Sequence, residues 1–160
     1  MDIWNMKKWI SVIPSNVRTG LRLRFDKGVD VDVRKACIKY AKWLRTHFYF
    51  PMRIPIYFKN TNTLKTADEK GAYATFFRPD RYCVEPYIRI AVGDYKKRKT
   101  EWGKDNAIFA YLCDMTHELT HYYQWINDIE LTLIGEERQA TIYANRIVQE
   151  YINEWYPFDE

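Results

Sequence analysis

Hydrophobic and polar residues alternate in four short stretches of the first 92 residues, and this pattern predicts β-strands. Between residues 21 and 25, leucine or phenylalanine occupies every odd position and arginine both even ones. A two-residue period places the apolar side chains on one face of a strand and the polar ones on the other. The four predicted strands cover residues 21–25, 54–58, 72–77 and 87–92.

Three longer segments carry apolar residues at steps of three and four, which is the period of an α-helix. The three predicted helices cover residues 31–47, about 105–126, and 135 to about 155. Asp30 is expected to cap the first helix, and Asp105 or Asn106 the second. The basic run Lys96–Lys99 is predicted to be a solvated loop, as charge runs usually are.

The order of these elements predicts one α+β domain that covers residues 1–160. We expect a mixed sheet of about four strands, with an N-terminal helix and two C-terminal helices. A chain of 160 residues with 47% hydrophobic and 17% aromatic content can bury a sizeable core. No apolar run reaches the roughly 18 residues of a membrane span, and the first ten residues lack the apolar core of a signal peptide. Three widely spaced cysteines favour reduced thiols and a cytoplasmic location.

Charge is distributed unevenly along the chain. Residues 1–100 contain 22 Lys and Arg against 9 Asp and Glu, whereas residues 101–160 contain 3 against 12. The favoured interpretation is that the two parts pack together and their charges complement each other. A basic surface that binds nucleic acid or another acidic partner is the alternative.

Residues 117–121 read His-Glu-Leu-Thr-His and lie within the second predicted helix. Residues four apart on a helix lie one above the other, so His117 and His121 present two imidazoles to one point. Zinc binds imidazole nitrogen at about 2.0–2.1 Å, and two such ligands form half of a tetrahedral site. Glu118 lies beside the pair and is expected to act as the general base that takes a proton from water.

A catalytic zinc site needs a third protein ligand. His47, the one other histidine, falls at the end of the first predicted helix and is assigned to packing or capping. At about 100° per residue, Glu137 lies within about 30° of the buried stripe of the third helix, and Glu136 about 75° away. Glu137 is therefore the predicted ligand, and Glu136 a solvated acid in the first helical turn. Asp128 and Glu130 are weaker alternatives.

The motif and its downstream segment resemble the gluzincin peptidases. The pentapeptide is the same as that of thermolysin, and Glu137-x-x-Ala140-x-x-Tyr143-Ala144 is similar to a segment of ImmA-type and HtpX-like metallopeptidases. This resemblance covers roughly 30 residues and implies a zincin-like fold, in which Glu137 is the third zinc ligand. The longer metzincin pattern is absent, because Gln124 and Asn127 occupy its glycine and third histidine positions.

These observations predict a zinc metallopeptidase that hydrolyses peptide bonds with one Zn²⁺ per chain. The expected partner is a peptide or protein substrate, with no membrane association. Two alternatives stay open: an SprT-like DNA-associated metallopeptidase, in which the basic part of the chain binds nucleic acid, and a non-catalytic zincin-like binding module. The residue that would stabilise the oxyanion is not assigned, since the chain offers 13 tyrosines.

The fourth predicted strand, residues 87–92, is expected to be an edge strand beside the metal helix. In the zincins that the chain resembles, an extended peptide pairs with such an edge. An unpaired edge offers backbone N–H and C=O groups that can capture a peptide by strand addition.

Overall fold

The computed structural model describes residues 2–155, which form a mixed four-stranded sheet and four helices. The strands are β1 (Leu21–Phe25), β2 (Ile54–Lys59), β3 (Ala74–Phe77) and β4 (Tyr87–Ala91). The helices are α1 (Val31–His47), α2 (Tyr95–Trp102), α3 (Lys104–Ile126) and α4 (Leu133–Glu154). A short 3-10 helix, Lys8–Ser11, precedes them. The expected α+β class with a mixed sheet is confirmed.

The strands lie in the order β1-β2-β4-β3. β1, β2 and β4 run parallel, and β3 runs antiparallel to β4. β4 therefore pairs on both sides, and the prediction that residues 87–92 form an edge strand is wrong. β3 lies beyond β4 in this order and is the edge strand on that side, as β1 is on the other. Order along the chain does not fix order in a sheet.

The core lies between one face of the sheet and the helices. Buried strand residues such as Ile56, Phe58, Ile88 and Ile90 alternate with residues on the opposite face. α1 contacts β1, while α3 contacts β3 and β4 and packs along α4. Apolar residues at helical spacing on α3 and α4 fill the interface between them, so the two helices predicted to bear the metal ligands share one core.

α2 was not predicted, because its sequence lacks an apolar stripe. It contains the basic run Lys96–Lys99, which was expected to be a loop. Arg98 of this run is buried, pairs with Asp94 at 2.7 Å, and lies 4.7 Å from the ring centre of Tyr111. The rings of Tyr73 and Trp102 also contact the guanidinium, each at 5.3 Å. This aromatic cage holds α2 against α3.

The boundaries of the other helices depend on their caps. α1 covers the predicted residues, and the Asp30 carboxylate accepts a hydrogen bond from Asp32 N at 2.8 Å. α3 begins at Lys104 directly after Gly103, without a side-chain cap, so the predicted cap at residue 105 or 106 is wrong. α4 begins two residues before the predicted start, because the Thr132 side chain caps it by accepting from Gly135 N at 3.0 Å.

The N-terminal segment closes the back of the α3–α4 pair. Ile3 N donates to the Tyr143 hydroxyl of α4 at 3.0 Å, and the Trp4 indole N–H donates to the Thr120 hydroxyl of α3 at 3.1 Å. Asn127, at the end of α3, donates to the Ile3 carbonyl at 3.3 Å. Ile3 and Trp4 are almost fully buried, so the first turn of the chain belongs to the core.

Two further findings concern cysteines and membranes. Cys37, Cys83 and Cys113 are all free thiols. Within residues 2–155, none of the helices has the length and apolar character that crossing a membrane would require.

Candidate metal centre

The helical spacing of the motif brings the two histidines to one side of α3. Their rings lie 5.0 Å apart between centres and nearly perpendicular to each other, at 77°. His121 is buried, whereas His117 is half-buried. Burial is the main cause that lowers the pKa of His117, which favours the neutral imidazole that binds metals.

α4 brings the predicted third ligand to the same point. The two Glu137 carboxylate oxygens lie 2.9 Å from His117 Nε2 and 3.0 Å from His121 Nε2. Ligand atoms of these three residues all lie within 4.8 Å of one another, in a group that could hold a metal ion. Glu137 is 62% exposed at its side chain, so a cation could reach this carboxylate from solvent.

Gln124 determines which nitrogen of His121 is free to bind a cation. Its side-chain nitrogen donates to the Glu136 carbonyl and to Gln139 Oε1, both at 3.0 Å. A carbonyl can only accept, so the other amide atom, Oε1, faces His121 Nδ1 at 2.8 Å and must receive its proton. In the neutral imidazole this hydrogen bond leaves the lone pair on His121 Nε2, the nitrogen that faces Glu137. Sequence reasoning noted Gln124 only as a departure from the metzincin pattern and missed this role.

Glu118 is buried beside the ligands, at 8% exposure. Burial, and then the neighbouring charges of Glu137 and Asp114, raises the pKa of Glu118 to about 8. A cation held by the three ligands would lower this pKa, because an opposite charge favours the carboxylate form. The position suits a group that exchanges protons near neutral pH.

Glu136 does not have the solvated position that was predicted for it. Its side chain is only 12% exposed, and its carboxylate pairs with both terminal nitrogens of Arg78, at 3.3 and 3.4 Å. Arg78 directly follows β3, so this ion pair joins the edge strand to the first turn of α4. The partners are 58 residues apart, which is why local sequence patterns could not reveal the pair.

A cleft of about 650 Å³ lies between β3 and the two ligand helices. Its lining includes the three candidate ligands, Glu118, Arg78 and residues 74–76 of the edge strand. β4 does not line it, in keeping with its central position in the sheet.

The backbone of β3 faces the cleft at alternate residues. Ala91 N donates to the Tyr73 carbonyl at 2.8 Å, which identifies one hydrogen-bonded pair of the β3–β4 ladder. In an antiparallel ladder such pairs alternate, so Thr75 also pairs with β4, whereas Ala74 and Phe76 direct their N–H and C=O groups to the open edge.

The remaining candidates lie away from this group. His47 stacks on Trp43 at the end of α1 and contacts Glu154, consistent with its assignment to packing. Asp128 accepts from Tyr82 in the loop between α3 and α4, where Glu130 is exposed.

Comparisons with protein-family models, with curated proteins and with solved structures gave no match for this chain. What the site can do follows from its own geometry and donor chemistry.

Proposed function

We propose that this chain is a zinc-dependent peptidase with a zincin-like fold. The observation that carries the proposal is the convergence of His117 Nε2, His121 Nε2 and the Glu137 carboxylate beside a buried Glu118. Two imidazoles and one carboxylate form the three-ligand set of catalytic zinc sites that leave one position open. The three free thiols support a cytoplasmic location as part of the same proposal.

The donor set fits zinc on chemical grounds. Zinc accepts both imidazole nitrogen and carboxylate oxygen, and the Gln124 hydrogen bond leaves the His121 Nε2 lone pair available. Bound zinc would supply a Lewis acid that polarises the scissile carbonyl and increases the acidity of water.

The chain's own residues would bind the substrate and move the proton. Ala74 and Phe76 offer backbone groups to an extended peptide that lies antiparallel along β3. One Glu118 carboxylate oxygen would take the proton of the attacking water and return it to the leaving amine. Arg78, held by Glu136, is the cation on the cleft wall that could face a carboxylate or a developing oxyanion.

The test compares the parent with Glu118→Gln after loading both with zinc. A library of quenched fluorescent peptides reports hydrolysis, and metal analysis reports the zinc content. We expect both proteins to bind about one zinc per chain, and the variant to lose hydrolysis by roughly 10²- to 10⁴-fold because it lacks the base. Equal turnover by parent and variant would refute the mechanism.

A non-catalytic zincin-like module would give a different result. Parent and variant would bind zinc equally and neither would cleave any peptide of the library, although both could still bind peptides in the cleft. The presence of Glu118 supports the enzyme over the binding module, because a binding module has no use for a buried, protonatable base.

A further inference from the structure

The face of the sheet opposite the core carries aromatic and basic side chains. Register places Arg24, Tyr57, Arg89 and Thr75 side by side across the four strands. The helix–strand packing of α1 and α3 involves the other face, where the buried strand residues lie. On this outer face Arg22, Arg24, Tyr57 and Phe77 are exposed.

Three aromatic rings form a continuous run on this face, one from each of β2, β4 and β3. The Tyr57 and Tyr87 ring centres lie 6.1 Å apart, and those of Tyr87 and Phe77 lie 4.9 Å apart in a stacked arrangement. Tyr57 is 39% exposed and Phe77 43%. We call Tyr57, Tyr87 and Phe77 the aromatic platform.

Two exposed arginines of β1 flank the platform. Arg22 and Arg24 each donate to a backbone carbonyl of their own strand, at 3.2 and 3.1 Å, and neither forms an ion pair with a carboxylate of residues 2–155.

The acids near the platform are already paired with other cations. Glu85 pairs with Arg18 and Arg53, and Asp26 pairs with Lys59. The platform ends where the loop over residues 60–72 covers Arg89, whose guanidinium donates to the Lys65 carbonyl at 3.4 Å. The free positive charge therefore lies on the β1 side, next to the exposed rings.

We propose that this sheet face binds single-stranded nucleic acid, with bases stacked on the aromatic platform and phosphates held by Arg22 and Arg24. Every base has a π-face, so exposed rings beside cations bind single strands with little sequence preference. Arginine suits phosphate because its planar fork can donate two hydrogen bonds. The excess of basic residues in the first 100 positions supplies further positive charge that could attract a polyanion. The proposal does not depend on peptidase activity.

The first test measures binding of the full chain to fluorescein-labelled oligo-dT and oligo-rU of about 16 nucleotides by fluorescence anisotropy. Tyr57→Ala and Phe77→Ala should each weaken binding about 5- to 150-fold, because each removes a stacking ring. Tyr57→Phe keeps the ring and should bind within about twofold of the parent. Thermal denaturation checks that every variant is folded. The two oligonucleotides show whether DNA or RNA is preferred.

The second test separates this face from general charge attraction. Arg22→Ala/Arg24→Ala should reduce the magnitude of the slope of log affinity against log salt by about 1.4, at about 0.7 per phosphate contact. The matched control, Lys35→Ala/Lys42→Ala, removes the same charge from exposed positions of α1 and should leave affinity and slope nearly unchanged.

Three outcomes would overturn the proposal. One is the absence of oligonucleotide binding at low salt. Another is an equal loss of affinity for the arginine and the lysine double variants, which would indicate non-specific attraction. The third is tighter binding of poly-glutamate than of either oligonucleotide, with the same dependence on Tyr57, which would identify an acidic protein segment as the partner.

Discussion

Gln124 Oε1 accepts a hydrogen bond from His121 Nδ1 at 2.8 Å, and the same amide holds the Glu136 carbonyl one residue before Glu137. One buried side chain therefore orients a candidate ligand on α3 and holds the backbone beside a candidate ligand on α4. Gln124→Met keeps the side-chain length but removes the acceptor. It should weaken zinc binding about 10- to 100-fold, as loss of a residue that orients a metal-bound histidine typically does. Competition with a chelator measures the affinity.

Gln139→Met is the control for this effect, because it removes only one of the two acceptors of the Gln124 amide nitrogen. We expect its zinc affinity to change less than about threefold. If Gln124→Met and Gln139→Met bind zinc equally well, Gln124 does not orient the site.

Two neighbouring glutamates should differ sharply in their effect on metal binding. Glu137→Gln removes the carboxylate that contacts both histidines and should weaken zinc binding by more than about 100-fold, beyond the cost of losing an orienting residue. Glu136→Gln weakens only the pair with Arg78 and should keep the parent's affinity. The reverse ranking in a zinc titration would show that α4 presents the other acid.

The free edge of β3 can be tested by removing one backbone donor. Ala74→Pro eliminates an N–H that faces the cleft and not β4, and proline is tolerated at such edge positions. Peptide cleavage should fall about tenfold or more, while zinc content and melting temperature stay close to the parent. Ala74→Val keeps the N–H and should retain cleavage; an equal loss in both variants would mean that side-chain size, not strand addition, is responsible.

The Arg98 cage makes a prediction about stability. Arg98→Ala removes the cation that lies among three aromatic rings and leaves the Asp94 carboxylate without its close partner. It should lower the free energy of unfolding by about 3–5 kcal/mol. Lys96→Ala and Lys97→Ala alter exposed positions of the same helix and should change it by less than about 0.5 kcal/mol. Urea denaturation provides the comparison, and similar values for all three variants would contradict the role of the cage.

The buried carboxyl of Asp114 should make the stability of the protein depend on pH. Burial raises the pKa of Asp114 from 3.8 to about 6, so the folded state binds more protons than the unfolded state between these values. Its contribution to stability therefore falls as the pH rises through this window. In metal-free protein, Asp114→Asn should raise the free energy of unfolding by roughly 1–3 kcal/mol at pH 7 and by almost nothing below about pH 4. The exposed Asp80→Asn serves as control, and a gain that is independent of pH would contradict the assignment.

The convergence of two histidines and one glutamate could be predicted from the sequence, because it depends on local geometry. Helical spacing alone brings His117 and His121 together, and angular position on α4 distinguishes Glu137 from Glu136. The same period predicted α1 to the residue, since its apolar stripe and its Asp30 cap are local signals.

Features that depend on contacts between distant residues could not be predicted from the sequence. α2 is stabilised because Arg98 pairs with Asp94 and packs against aromatic rings such as that of Tyr111, although the sequence of α2 has no apolar face. The Arg78–Glu136 pair joins segments 58 residues apart. The order of the strands in the sheet also could not be predicted, because a two-residue period shows that a strand exists but not which strands it pairs with.

The bond between Ile3 and Tyr143 has a consequence for folding. Its donor and acceptor lie 140 positions apart along the sequence. Contacts so distant in sequence form slowly, because a long loop must close first. The two helices that carry the histidines and Glu137 therefore gain the support of the N-terminal segment only when these two distant parts of the chain have come together.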